Sequence, residues 1–136
     1  MFKGNTEVLT ALKGWVKIKD LKKKDIVWDG EDCYYIEKII KIGGRESCRL
    51  TSQEKRSLEC TKYQKFLGVD GNSYEAEQID KDTNLSFIQD GVEEAPLIEV
   101  WQKECTYTNF YALILENSDK YYVRIGENTG ILALAS

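Results

Sequence analysis

Apolar residues in this chain come in short alternating runs, and turn signals interrupt them about every eight to twelve residues. Glu7-Val8-Leu9-Thr10 and Trp15-Val16-Lys17-Ile18 come first, and Asp25-Ile26-Val27-Trp28 stops at Asp29-Gly30. A longer run from Tyr34 to Ile42 meets Gly43-Gly44, and Ser47-Cys48-Arg49-Leu50-Thr51 follows it. Arg56-Ser57-Leu58-Glu59-Cys60-Thr61 precedes Lys65-Phe66-Leu67-Gly68, which ends at Asp70-Gly71-Asn72. Phe110-Tyr111-Ala112-Leu113-Ile114-Leu115 and Tyr121-Tyr122-Val123-Arg124-Ile125 complete the series. Only residues 18–24 and 75–80 suggest helical turns, each too short to organise a fold. Residues 81–95 are polar and acidic, precede the sole proline, Pro96, and are expected to form the longest loop. Tyr, Ile, Val and Thr in this pattern predict an all-β chain, and 136 residues suit one domain.

Composition narrows the chemistry. The chain contains no histidine, which closes histidine-dependent triads, imidazole zinc sites and histidine general bases. Cysteines at 33, 48, 60 and 105 form no CxxC pair, so zinc is not expected and reduced thiols are. No cofactor is expected. No apolar run approaches a membrane span of about 18 residues, and Met1-Phe2-Lys3-Gly4-Asn5 does not read as a signal peptide. The expected location is cytoplasmic, with no membrane partner.

Net charge is −4 but unevenly spread: residues 1–65 carry 15 Lys/Arg against 10 Asp/Glu, and residues 66–136 carry 4 against 13. Nucleic acid is not an expected partner of so acidic a chain. The split would let the two halves attract one another.

Several of these segments, in this order, resemble the sequence blocks of inteins, the protein-splicing elements with the Hint fold. Asn5-Thr6-Glu7-Val8-Leu9-Thr10, Gly14-Trp15-Val16-Lys17-Ile18-Lys19-Asp20-Leu21 and Lys24-Asp25-Ile26-Val27 are similar to the first block. Leu58-Glu59-Cys60-Thr61-Lys62-Tyr63-Gln64 resembles the Thr-x-x-His block, with Thr61 at the threonine and Gln64 at the histidine. Phe110-Tyr111-Ala112-Leu113, Asp119-Lys120-Tyr121-Tyr122-Val123 and Gly130-Ile131-Leu132-Ala133-Leu134-Ala135-Ser136 are similar to the paired C-terminal blocks. The resemblance spans nearly the whole chain. It implies a compact, horseshoe-like, pseudo-twofold Hint fold of the minimal type, without a homing endonuclease. Residues 1–135 would be the splicing domain, and Ser136 the first residue of the downstream segment.

The resemblance also implies roles. Met1 stands where the first nucleophile, usually cysteine, would be; Ala135 stands at the cyclising asparagine, and Ser136 at the second nucleophile. A thioether has no transferable proton and alanine has no amide, so this form is expected to fold without splicing. The pattern reads as inactivation of a working intein; natural decay of a Hint domain would leave the same residues, and a start methionine replacing the native cysteine would account for Met1 alone. Gln64, Lys120 and Leu134 stand where relatives carry histidine, and Ala112 where many carry aspartate.

Gln64 can donate and accept hydrogen bonds but cannot exchange a proton near pH 7, so it would polarise the upstream amide together with Thr61. Lys120 could bring positive charge to an oxyanion or act as a base, and Leu134 offers packing. Without the resemblance, Thr61 reads as a strand threonine, Gln64 and Lys120 as surface residues, and Trp15, Trp28 and Trp101 as packing aromatics. Partners would be the flanking protein segments (exteins), in cis or in trans. Residues 1–27 hold seven lysines against three acids, so a complementary split fragment breaking near Asp29-Gly30-Glu31-Asp32 is one option, a break within residues 81–95 a second, and a solvated lysine face the plain alternative. The rival to splicing is a degenerate Hint-like interaction module.

Overall fold

The computed structural model describes residues 1–52, 57–89, 98–127 and 129–135, with side chains at 45, 52, 89 and 98–107 excepted. Each alternating run becomes a strand because period-2 patterning buries one face of a pleated chain. In order they are β1 (Phe2–Lys3), β2 (Glu7–Thr10), β3 (Gly14–Lys17), β4 (Ile26–Trp28), β5 (Cys33–Ser52) and β6 (Ser57–Thr61). After them come β7 (Lys65–Leu67), β8 (Ser73–Glu75), β9 (Phe87–Gln89), β10 (Ile98–Leu115), β11 (Lys120–Arg124) and β12 (Thr129–Leu134). The expected helical turns are reduced to 3-10 turns at Ile18–Asp20 and Ala76–Gln78.

The all-β expectation holds, and the sheet curls into a half-barrel of the Hint type. Strand β10 pairs with both β5 and β1, β1 with β6, and β6 with β5, so these four close on one another. From β5 the sheet continues through β4, β2, β11, β12, β7 and β8, with β3 on β2 and β9 on β12. The ladder between β5 and β10 runs from Ile98↔Ser52 to Leu115↔Ile36.

Two sequence expectations need correction. Gly43-Gly44 does not end a strand: β5 runs straight through it. Gly44 takes φ +64° opposite the register shift between Thr106 and Asn109, where β10 carries one residue more than β5, so the pair faces a bulge that a left-handed residue accommodates. Residues 81–95 are not one loop either. Strand β9 pairs with β12 inside that stretch, while residues 90–97 lie outside the described residues. The flanking polar residues conceal β9 because its partner is remote in sequence.

The core collects Phe2, Phe66, Tyr121, Leu113, Val8, Ile131 and their neighbours. Trp15 and Trp28 are half-buried at its margin. Trp28 tilts against Tyr122 at 6.2 Å, and a Cβ on Gly130 would come within 2.6 Å of the Trp15 ring. The Trp101 side chain lies outside the described set. Between the two charge halves, Arg124 pairs with Glu7 across 3.0 Å, so at this contact the acidic half supplies the cation.

The topology matters most at the chain ends. Phe2 lies opposite both Tyr111 and Cys60, which sets Met1 beside the end of β6. Ala133 lies opposite Phe66, and Leu134 opposite Lys120, which brings the end of β12 to the start of β7. The short turn between β6 and β7 therefore sits between the two ends.

Candidate active site at the two chain ends

That turn carries Thr61 and Gln64. The Gln64 N–H donates to the Thr61 carbonyl at 3.0 Å, and the Gln64 carbonyl accepts from the Ala76 N–H at 2.8 Å, so the turn is held on both sides. Gln64 is only 5% exposed, which contradicts a surface reading of this residue. A buried carboxamide needs partners for its oxygen and for both its hydrogens. It finds all three. Its Oε1 accepts a hydrogen bond from the Met1 α-nitrogen. Its Nε2 donates to the carbonyls of Leu134 and Lys65, each at 2.9 Å.

Thr61 faces the same nitrogen. Its Oγ1 accepts from the Met1 α-nitrogen at 3.1 Å, and its own N–H donates to the Met1 carbonyl at 2.8 Å. The first residue is thus held at its nitrogen and at its carbonyl. At the other end, the Ala135 N–H donates to the carbonyl of Asp119.

Burial lowers the pKa of the Met1 amine from 8.0 to about 6, and the nearby Cys60 opposes the shift slightly. Burial also pushes the Cys60 thiol well above its ordinary value, so it is not a ready nucleophile. Tyr121, behind Phe2, is raised by burial in the same way. Cys48 and Cys60 are buried and Cys33 is exposed, while the Cys105 side chain lies outside the described set.

The structure therefore brings together Met1, Thr61, Gln64 and the Leu134–Ala135 peptide. Lys120 stays apart from the bonded cluster. It lies opposite Leu134, half-buried, and its ammonium makes no hydrogen bond or ion pair with the described residues. Leu134, expected only to pack, contributes its carbonyl. Ser136 lies outside the described residues. Thr6 is buried, its hydroxyl without a partner among the described residues, in a small cavity with Asn5, Glu7 and Arg124. The carbonyls of Leu134, Lys65 and Asp119 escaped sequence reasoning because a backbone acceptor has no residue-type signature. Among the described residues, no group of three acidic, cysteine or histidine side chains could hold a metal, and no helix is long and apolar enough to cross a membrane.

The sequence matches no protein-family model and no curated protein. Solved structures are similar throughout. A DnaB intein from Synechocystis sp. PCC 6803 shares 16% identity at a TM-score of 0.74, covering 99% of this chain and 97% of that one. A bacterial intein-like domain from Clostridium thermocellum shares 21% identity at 0.75, covering 98% and 96%. The gp41-1 intein shares 15% identity at 0.71, covering 98% and 96%. With its ends meeting at one turn, the chain has, over nearly its whole length, the all-β Hint fold of a minimal intein.

Proposed function

We propose that this chain derives from a protein-splicing domain spanning residues 1–135, which acts between flanking protein segments and is inactive in the present form. The observation that carries this reading is the Gln64 carboxamide, which joins the Met1 nitrogen to the Leu134 carbonyl. Splicing requires two distant junctions in one site, and here about 70 residues separate Gln64 from the second of them.

In a parent with cysteine at position 1, the thiolate attacks the preceding carbonyl. The residue-1 nitrogen leaves as an amine, takes up the thiol proton, and a thioester forms. The Ser136 hydroxyl then attacks the thioester, giving an ester and returning a thiol. An asparagine at 135 attacks its own carbonyl through the side-chain nitrogen, forming a succinimide and freeing the amine of residue 136. That amine attacks the ester, the acyl bond to the Ser136 oxygen breaks to release the hydroxyl, and an amide joins the flanking segments. Thr61 and Gln64 hold the nitrogen that must leave in the first step. Met1 blocks that step and Ala135 blocks the asparagine step. Lys120, opposite Leu134, is the nearest candidate for charge at the downstream junction.

Met1→Cys together with Ala135→Asn, placed between two reporter proteins, is expected to yield the ligated reporters and the excised domain. A thioester should be trappable by added thiol. Absence of thioester, cleavage and ligation from pH 6 to pH 9 would overturn the proposal and leave a non-splicing Hint-fold interaction module.

A split parent is favoured by one feature. The β4–β5 connection is a tight turn in which Oδ1 of buried Asp29 accepts from the N–H groups of exposed Glu31 and Asp32, each at 2.9 Å. A break there falls between β4 and β5, and fragments 1–27 and 31–136 give up one pair of that ladder, Trp28↔Cys33. Separately made fragments 1–27 and 31–136 are expected to associate, more tightly at low salt. No association at low ionic strength would remove this second reading.

A further inference from the structure

We infer that Gln64 couples the two chain ends: its carboxamide responds to whether the residue-1 nitrogen is an amine or an amide, and passes that state to the Leu134–Ala135 peptide. The basis is a count of hydrogens. Two acceptors, Oγ1 of half-buried Thr61 and Oε1 of buried Gln64, converge on the residue-1 nitrogen. An amide nitrogen has one hydrogen and serves one acceptor. A neutral amine has two and serves both. The acceptor pair is therefore matched to an amine, the species that exists when the chain begins at residue 1 and also after an acyl shift has removed the upstream carbonyl.

The rest follows from the shape of a carboxamide. It is planar, with its oxygen and its NH2 group at fixed directions. While the oxygen faces the amine, the NH2 faces the carbonyls of Leu134 and Lys65. A flip would set two donors against the amine and an oxygen against two carbonyls. Gln64 is 95% buried, so water cannot substitute for a lost partner. One orientation satisfies every polar atom of the carboxamide, and an amine at residue 1 serves it and Thr61 Oγ1 together. With an amide there, Thr61 and Gln64 compete for one hydrogen, and the carboxamide is held less firmly. The Leu134 carbonyl then loses part of its donor. Because such a coupling is reciprocal, ordering of the Leu134–Ala135 peptide favours the amine state in return. Burial, which keeps the amine neutral at ordinary pH, is consistent with this.

For splicing, the first step would thereby prepare the downstream junction. That meaning rests on the function proposed above; the coupling itself does not, and its test needs no splicing. The chain as it stands is compared with one extended by a single glycine before Met1, which converts the amine to an amide. The Ala135 N–H belongs to the same peptide group as the Leu134 carbonyl, so its hydrogen exchange reports on that group. Exchange at Ala135 is expected to be about threefold or more faster in the extended chain, a modest but measurable coupling. The Gln64 carboxamide NMR signals should shift as well. Gln64→Glu keeps an acceptor for the amine but has no N–H for the carbonyls, and should make Ala135 exchange insensitive to the extension. Should that variant not fold, the Gln64 signals of the two unmutated chains still decide. Equal Ala135 exchange with unmoved Gln64 signals overturns the inference, as does an extension effect that persists unchanged in Gln64→Glu. A restored precursor that splices while the extension has no effect would retain the function and lose the coupling.

Discussion

Phe2→Ala is expected to cost about 3–5 kcal/mol of folding stability and to lower Tm by roughly 10–20 °C. Phe2 is fully buried although it is the second residue of the chain. Its ring meets Phe66 edge-on at 5.9 Å and Tyr121 at 6.2 Å. These partners come from β7 and β11, so the ring ties the N-terminal strand to the two strands that frame the C-terminal end. Truncation removes the apolar burial and leaves a cavity among strands whose backbones are held by ladders and cannot collapse freely. Domains of this size are stable by only about 5–15 kcal/mol, so the loss is a large share. Phe2→Leu keeps most of the volume and should lose less. Thermal unfolding of both variants checks this. Losses below about 1 kcal/mol in both would mean that Phe2 does not sit in the core.

The same residue holds Met1 in place, which leads to the second large effect. Between pH 6 and pH 8 the Met1 amine alone is expected to raise folding stability by about 2–3 kcal/mol. Its pKa falls from 8.0 when free to about 6 when folded, chiefly through burial. Below pH 6 both states carry the proton, and the folded state bears the cost of a buried charge. Between 6 and 8 the unfolded chain binds a proton that the folded chain does not, so stability rises with pH. Above 8 neither binds it, and the gain is complete.

The window is clean because the chain has no histidine. Burial resists ionisation of Glu59, but Lys3 and Arg49 overcome it and hold the carboxyl below its usual 4.5, so its contribution is lost only at lower pH. Urea unfolding at pH 5.5, 7 and 8.5 measures the slope. A glycine placed before Met1 removes the amine from the site and should abolish it. A flat profile in the unextended chain would put the amine in water.

The missing histidines look different in this light. At the turn between β6 and β7, a residue that cannot titrate near neutrality uses fixed geometry instead, offering one acceptor to residue 1 and donors to two carbonyls. The group that titrates in this region is the amine itself. In a parent with cysteine at position 1 the residue-1 nitrogen is an amide before the first step, so a pH response of the upstream junction would then belong to the attacking thiol and not to a general base at position 64.

How much was legible beforehand varied with the range of the interactions. Strand positions at Glu7–Thr10, Ile26–Trp28 and Ser57–Thr61, and the turn at Asp70-Gly71-Asn72, follow from alternation and turn chemistry acting within a few residues. The uninterrupted β5, the short β9 and the terminal β12 did not follow from them. Gly44 looks like a break until a bulge explains it, and the need for a glycine at 130 appears only when the Trp15 ring is seen against it.

By itself, the sequence determined an all-β chain, its turn positions, and end residues that lack the proton of a thiol and the amide of an asparagine. Those properties belong to single side chains and to near neighbours. Only the tertiary structure decided that Gln64 is buried, that it reaches both ends, and that the amine at residue 1 loses its charge. Burial and hydrogen bonding across 60 to 70 residues depend on which strands pair, and two of the acceptors concerned, at Met1 and Leu134, are backbone carbonyls that every residue possesses.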